Sequence, residues 1–370
     1  MQIFTLRYLI GSIQKRFFLT SISEPPSKIT VDYLVNSCGL AKATAISAAQ
    51  KIGIKNRDLE RCGAIISFFR EHGFSDAQLQ KLVVKRPELL TVQLDNLRSK
   101  MQFLNESHLK GSNLIDLLVS NPVIFRCGVK NQLEPSLELL MKYLGSIENI
   151  EKALKRSSWL LTSSFSLNVQ PNIDLLISEG VSLHAIQLMI TNQPRSALQK
   201  TDTMAKAIEA VKVLGIEPSS PLFIRAVCVR VAMSEATWNR KFDIFRSLGW
   251  ADEEIVSAFV RDPFCLACSE EKIRAVTDFI VNTMKLSQAV IIAYPKFLLY
   301  SIESRYKPRV FVFSMLKSKN LLKDDLKSMQ VIRISEEKFV ENYVTKYLDQ
   351  VPDLMKTYTS MRAQTSESTE

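Results

Sequence analysis

The residues of this 370-residue chain most suited to chemistry are Cys265 and Cys268, which are spaced as a CxxC motif. Such a pair can hold zinc or exchange a disulfide. No other residues complete either site, because the chain has no second CxxC and its histidines (His72, His108 and His184) are scattered. We therefore predict no metal, no cofactor and no redox centre.

Catalytic motifs are also missing from the sequence. It contains no P-loop, no dinucleotide-binding fingerprint and no identifiable nucleophile with a neighbouring base. The chain is accordingly not predicted to be an enzyme.

Basic side chains are the remaining functional candidates. The net charge is +10, from 48 Lys and Arg against 38 Asp and Glu. An excess spread along the chain suits an extended polyanion better than a compact anionic ligand, although solvated surface charge is the plainer interpretation of any single residue. The candidate contacts to nucleic acid lie near predicted helix ends and connectors: Lys85, Arg86, Arg126, Arg156, Arg195, Arg225, Arg230, Arg261, Lys296, Arg305, Tyr306, Lys307 and Arg309.

A repeat positions these residues along the chain. Gly73, Gly180 and Gly249 are each followed by a proline 14 residues later, and they are 107 and 69 residues apart. These separations are close to three and two steps of about 35 residues. Apolar residues 6, 9 and 10 positions after each glycine share one helical face. Each unit is predicted to be helix, tight turn, helix and proline stop, followed by a short apolar connector.

Weaker copies extend the array. Pro122 and Pro295 end two of them, Ser158 stands where another copy would have its proline, and the copy around Val227 has no terminal proline. We predict an all-α fold over residues 30–350. It is a right- or left-handed superhelical α-solenoid of about eight helix–turn–helix repeats, each of about 35 residues.

The repeat register also explains the CxxC motif. Cys265 occupies the position of Leu89 and Ile124 in other copies, and Cys268 occupies that of Val92. Because Leu89 and Ile124 are apolar, Cys265 is predicted to be a packing residue rather than a ligand.

The two ends of the chain differ from the repeats. Residues 1–23 contain Arg7, Lys15 and Arg16 but no acidic residue, a composition typical of an organelle transit peptide. The mitochondrion is favoured, with the chloroplast as the alternative. Residues 360–370 are predicted to form a disordered polar tail. No apolar run reaches the ~20 residues of a membrane span, so no membrane partner is predicted.

Several segments resemble the mitochondrial transcription termination factor (mTERF) family, in particular its plant organellar members. In chain order they are Tyr33–Leu40, His72–Ser75, Leu248–Ile255, Arg305–Arg309 and Phe339–Val344. The resemblance covers nearly the whole chain after residue 23. It implies repeats of two α-helices and a short 3₁₀ turn, with nucleic acid bound in a basic groove.

Two hypotheses for the function follow. The first is a monomeric, non-catalytic protein that binds organellar DNA or RNA, acting with other organellar gene-expression proteins. The resemblance implies that it regulates transcription termination or initiation, or transcript processing and intron splicing. Double-stranded DNA and RNA both remain open, because a basic groove suits both backbones. The second is an α-solenoid scaffold for protein–protein interaction in organelle ribonucleoprotein assembly. Under the first, Arg305→Glu with Arg309→Glu is predicted to weaken binding.

Overall fold

The computed structural model describes residues 26–109, 111–163, 165–322 and 328–363, and every regular element among them is helical. The all-α prediction is thus confirmed for this part of the chain. The predicted transit peptide at residues 1–23 lies outside the described residues. None of the described helices is long and apolar enough to cross a bilayer.

The α-helices are numbered here in chain order. They are α1 Lys28–Asn36, α2 Lys42–Ala49, α3 Leu59–Glu71, α4 Asp76–Lys85, α5 Leu94–Glu106, α6 Gly111–Ser120, α7 Glu134–Leu144, α8 Ile147–Arg156, α9 Trp159–Thr162, α10 Phe165–Asn168, α11 Gln170–Ser178, α12 Leu183–Asn192, α13 Pro194–Ala197, α14 Thr201–Val213, α15 Phe223–Val231, α16 Glu235–Ser247, α17 Asp252–Arg261, α18 Glu270–Asp278, α19 Ala289–Ala293, α20 Lys307–Ser318, α21 Ser328–Arg333, α22 Glu336–Phe339 and α23 Leu354–Ala363. Short 3₁₀ helices cover Asn56–Asp58, Pro87–Thr91, Pro122–Arg126, Pro263–Ala267, Pro295–Leu299 and Thr345–Tyr347. Single π-turns cover Val129–Leu133, Phe279–Thr283, Ile302–Tyr306 and Val340–Val344.

The chain divides into two compact units. Unit 1 comprises the residues up to Ile173 together with Ile190–Leu198, and unit 2 comprises Asp174–Met189 together with Gln199 and the residues after it. Repeats in both units have a first helix, a tight turn and a second helix. Most then have a short helical turn, which we call the connector. The connectors are Pro87–Thr91, Pro122–Arg126, Trp159–Thr162, Pro194–Ala197, Pro263–Ala267 and Pro295–Leu299.

The turn within a repeat forms as the sequence predicts. Gly73 ends the first helix with a φ of +87°, a left-handed conformation that favours glycine. The Ser75 hydroxyl accepts a hydrogen bond from the backbone N–H of Gln78, whose side chain accepts one from the N–H of Ser75. Pro87 opens the connector at its first position, where a missing N–H breaks no helical bond.

The core lies on the helix faces that the periodicity indicated. Buried residues 6, 9 and 10 positions after the three repeat glycines are Leu79, Leu82, Val83, Ile186, Met189, Ile190, Ile255, Ala258 and Phe259. Cys265 is also fully buried, and burial raises the pKa of its thiol. Its assignment as a packing residue is therefore confirmed.

Two repeats and the C-terminal tail depart from the simple pattern. The connector Trp159–Thr162 forms even though Ser158 replaces proline. Among the described residues, no connector lies between α15 and α16, and Ser234 caps the N-terminus of α16. At the C-terminus α23 continues to Ala363, so residues 360–363 are helical rather than part of a disordered tail. Residues 364–370 lie outside the described part.

Candidate nucleic-acid interface

Lys85, a predicted phosphate contact, bridges two repeats of unit 1. It is the last residue of α4, and its Nζ donates hydrogen bonds to the carbonyls of Val119 and Ser120 at 2.8 and 3.2 Å. Both acceptors end α6, the second helix of the next repeat. Carbonyls in a last turn lack helical partners, and the helix dipole favours a cation there. Lys85 therefore caps the C-terminus of α6 in the next repeat.

The same bridge recurs at two other predicted contacts. Arg156 ends α8, and its Nη1 donates to the carbonyl of Thr191 near the end of α12, at 3.5 Å. Arg261 ends α17, and its Nη1 donates to the carbonyl of Ile292 near the end of α19, at 2.9 Å. In each case the acceptor belongs to the second helix of the next repeat. These three side chains are therefore already engaged in holding repeats together.

Replacing Lys85 by methionine is expected to lower the free energy of unfolding by about 1 kcal/mol, because two last-turn carbonyls lose their donor while the apolar stem is kept. Urea unfolding followed by circular dichroism measures the change. Lys81→Met is the matched control, since Lys81 lies exposed on the same helix without a side-chain hydrogen bond in the described residues. If the two variants unfold at the same urea concentration, the hydrogen bonds from Lys85 to α6 do not stabilise the fold.

First helices of unit 2 carry a second set of basic side chains with internal partners, which the sequence analysis missed. Lys241 on α16 donates to the carbonyl of Cys268, and Lys272 on α18 donates to that of Leu299 at 2.8 Å. Each acceptor lies 27 residues after its donor, at the end of the connector that closes the same repeat. This constant separation is visible once the repeats are aligned on their connectors, so the sequence could have indicated both lysines.

Arg305 follows the same spacing and caps α21. Its Nε donates to the carbonyl of Ile332 at 2.9 Å, and its Nη2 donates to that of Ile334 at 2.7 Å. The guanidinium lies over the Tyr300 ring, 4.1 Å from the centroid. Arg305 was predicted to contact phosphate, but in the structure its guanidinium is engaged by backbone carbonyls and by the Tyr300 ring.

Tyr306 and Arg230 are wrong as surface contacts, because both are buried in unit 2. The Tyr306 hydroxyl donates to the carbonyl of Phe297 at 2.9 Å, so a ring predicted to meet nucleic acid instead packs in the core. Arg230 Nη1 donates to the carbonyl of Met233 at 3.1 Å, and Nη2 pairs with Glu235. Tyr306 is buried because it lies on the apolar face of its repeat. The cost of burying the Arg230 charge is offset by the nearby acceptors Met233 and Glu235.

Arg309 is also wrong as a surface contact, because its side chain is completely buried. Its Nη1 donates to the carbonyls of Val331 and Ile334 at 2.9 and 2.8 Å, and its Nη2 pairs with Glu336 at 2.8 Å. The guanidinium also lies 4.6 Å from the centroid of the Phe339 ring. Arg309 therefore joins α20 to α21 and α22.

Glu336 receives three donors in this cluster. Burial alone would raise its pKa, but hydrogen bonds from Arg309 and Tyr358, together with the charge of Arg362, outweigh burial and lower the pKa. A carboxyl group with a lowered pKa stabilises the folded state above its unfolded pKa. That contribution is lost as the pH falls through the folded pKa.

Arg86 and Lys307 form ion pairs near the surface. Arg86 Nη1 lies 3.3 Å from Glu88, and Lys307 Nζ lies 2.7 Å from the second carboxylate oxygen of Glu303. Such pairs contribute about 0–1 kcal/mol. A phosphate can therefore replace either carboxylate at small cost.

Three predicted contacts remain exposed, and in the described part of the chain their side chains form no hydrogen bond or ion pair. They are Arg126, Arg225 and Lys296, and we call them the open basic residues. Arg126 and Lys296 lie on connectors, and Arg225 lies on α15. Arg195 is likewise exposed, on the connector that begins at Pro194. Four of the thirteen predicted residues therefore remain as candidates, Arg126 and Arg195 in unit 1 and Arg225 and Lys296 in unit 2.

Comparison with known proteins decides the family. The family model described as mTERF matches residues 64–340, which is most of the chain. This protein is a member of the mTERF family. A similar protein is Transcription termination factor MTERF15, mitochondrial, of Arabidopsis thaliana, with 20% identity over 348 residues. That alignment covers 90% of this chain and 69% of the relative.

The mTERF match includes the candidate interface and the C-terminal arginine cluster. It begins within α3 and ends just after α22, so all three open basic residues and Arg309 lie inside it. The final helix α23 lies outside it. In this mTERF protein, among the described residues, no group of three or more His, Cys, Asp or Glu side chains could hold a metal ion.

Proposed function

We propose that this mTERF protein is a non-catalytic, monomeric factor that binds nucleic acid and thereby regulates organellar gene expression. The observation that carries the proposal is the exposure of the open basic residues, whose side chains have no competing partner in the described part of the chain. Membership of the mTERF family supports the same function.

Phosphate neutralisation supplies the binding energy in this mechanism. Each Lys or Arg that meets a phosphate releases condensed counterions, so affinity falls steeply as salt is added. Arg126 lies on a connector of unit 1 and Lys296 on a connector of unit 2, so connectors in both units carry an exposed basic residue. Contacts of this kind position a nucleic acid without reading its sequence, and base edges must be read by other polar side chains.

The relative's name supports an organellar role. That protein is named a mitochondrial transcription termination factor. We place this chain in the mitochondrion, with the chloroplast as the alternative, and place its action in transcription termination or initiation, or in transcript processing and intron splicing. Other organellar gene-expression proteins are the further partners.

Binding at increasing salt tests the proposal. Purified protein is titrated with duplex DNA and with single-stranded RNA in a filter-binding assay between 50 and 200 mM salt. At least one ligand is expected to bind with an affinity that falls linearly on logarithmic axes, with a slope of about −2 or steeper from three phosphate contacts. Salt-insensitive or absent retention of both ligands would favour the alternative, a scaffold for protein partners.

A further inference from the structure

We infer that Trp159 forms a stacking platform for an unpaired base, so that this protein prefers single-stranded nucleic acid to duplex. The inference rests on the proposed nucleic-acid function and specifies the substrate class. It replaces Tyr306, the aromatic contact expected from the sequence, with a residue that solvent can reach.

The Trp159 ring differs from the other two tryptophans in its surroundings. Its residue is 53% exposed, whereas Trp250 is 3% exposed and packs against Phe245 with ring centroids 4.9 Å apart. Trp238 meets the ring of Phe259 edge-on at 5.2 Å. In the described residues no aromatic ring or cation lies against Trp159. A single exposed apolar residue is ordinary in a folded protein, but an aromatic ring with a face open to solvent offers a surface on which a base can stack.

The connector that carries Trp159 is held firmly. The neighbouring Leu160 and Leu161 are completely buried. Asn121 Nδ2 donates to the carbonyl of Ser158 at 3.2 Å and to the hydroxyl of Thr162 at 3.0 Å. The turn is thus fixed on both sides of the tryptophan. A backbone that is already fixed loses little conformational entropy when a base stacks on the ring that it carries.

The connectors before and after this platform in the chain carry exposed basic residues. The connector Pro122–Arg126 packs against Trp159–Thr162, and Arg126 is an open basic residue. Arg195 is exposed in the next repeat, at the position directly equivalent to Trp159. Proteins hold single strands with exposed aromatic rings on which bases stack and with basic residues that follow the backbone, and this row of connectors carries both residue types. Bases within a duplex already stack on their neighbours and are not available.

The test compares Trp159→Ala, Trp159→Phe and Leu167→Ala. Leu167 is the matched control, because it is an exposed apolar residue close in sequence that has no π-face (74% exposed). Each protein is titrated with a 20-nucleotide single-stranded RNA and with a 20-base-pair duplex DNA at one salt concentration. Circular dichroism checks that each variant is folded.

Trp159→Ala is expected to weaken single-strand binding about tenfold or more, the loss that follows removal of one base–aromatic stack, and to leave duplex binding within about twofold. Trp159→Phe is expected to retain most of the affinity, and Leu167→Ala all of it. The single strand should also quench tryptophan fluorescence in the wild type but not in Trp159→Phe.

Equal effects of Trp159→Ala on both ligands, or no effect on either, would overturn the inference and assign the exposed ring to a protein contact. In those cases salt-sensitive binding by the wild type would still uphold the proposed function. If the wild type binds neither ligand, the proposed function fails, and the inference fails with it.

Discussion

Replacing Arg309 by methionine is expected to destabilise unit 2 by about 3 kcal/mol, because two backbone carbonyls lose a charged donor at a cost of about 1–3 kcal/mol each. The guanidinium is completely buried and donates to the carbonyls of Val331 and Ile334 as well as to Glu336. Methionine fills much of the space but offers no donor. The two carbonyls would then lose their donor, whereas Glu336 would keep its contacts with Tyr358 and Arg362.

Urea unfolding followed by circular dichroism measures this loss. Lys307→Met is the matched control, because Lys307 lies two residues away on α20 and its pair with Glu303 is exposed to solvent. That pair stabilises the fold by about 0.5 kcal/mol or less. If Arg309→Met unfolds at the same urea concentration as Lys307→Met, the buried cluster does not stabilise this unit.

The arginine cluster also changes how charge reversal at Arg305 and Arg309 must be interpreted. The sequence predicted that Arg305→Glu with Arg309→Glu would weaken nucleic-acid binding. Both guanidinium groups donate to backbone carbonyls near the end of α21, so this double variant disrupts folding before it reports on binding. A test of binding has to use side chains without internal partners.

Local signals in the sequence predicted the repeats. Glycine, a capping serine and a proline stop act within a few residues of their own positions, and Gly73, Ser75 and Pro87 adopt the roles that their chemistry requires. The apolar face at residues 6, 9 and 10 after the glycine likewise depends only on helical periodicity. This part of the fold needed no knowledge of tertiary contacts.

The division of basic residues between internal bridges and open surface could not be predicted in the same way. Lys85 and Lys272 find acceptors 34 and 27 residues further along the chain. Whether a carbonyl lies within reach depends on how repeats pack, which no local pattern contains. Burial of Tyr306 also depends on packing, because its hydroxyl needs the carbonyl of Phe297 as an acceptor inside the core.

Reversing the charge of all three open basic residues is the second variant with a large expected effect. Arg126→Glu, Arg225→Glu and Lys296→Glu together remove three proposed phosphate contacts and would place three carboxylates against the phosphate backbone. Affinity for nucleic acid at 50 mM salt is expected to fall about 100-fold or more, and the salt slope is expected to become about 2–3 units shallower. The side chains are exposed, so stability should change by about 0.5 kcal/mol or less for each substitution.

A control variant with the same change in net charge separates local contact from general electrostatics. Arg57→Glu, Lys206→Glu and Arg240→Glu also exchange two arginines and one lysine, one in unit 1 and two in unit 2. Arg57 precedes α3, and the others lie on first helices, α14 and α16. All three are exposed and have no side-chain hydrogen bond or ion pair among the described residues.

The salt dependence of nucleic-acid affinity, measured for the wild type and for these two triple variants, tests the proposed interface most directly. The proposed interface predicts that reversal of Arg126, Arg225 and Lys296 flattens the salt dependence by about 2–3 units, while the control stays within about 1 unit of the wild type. Identical slopes for the two triple variants would contradict it, because the open basic residues would then contribute only general charge.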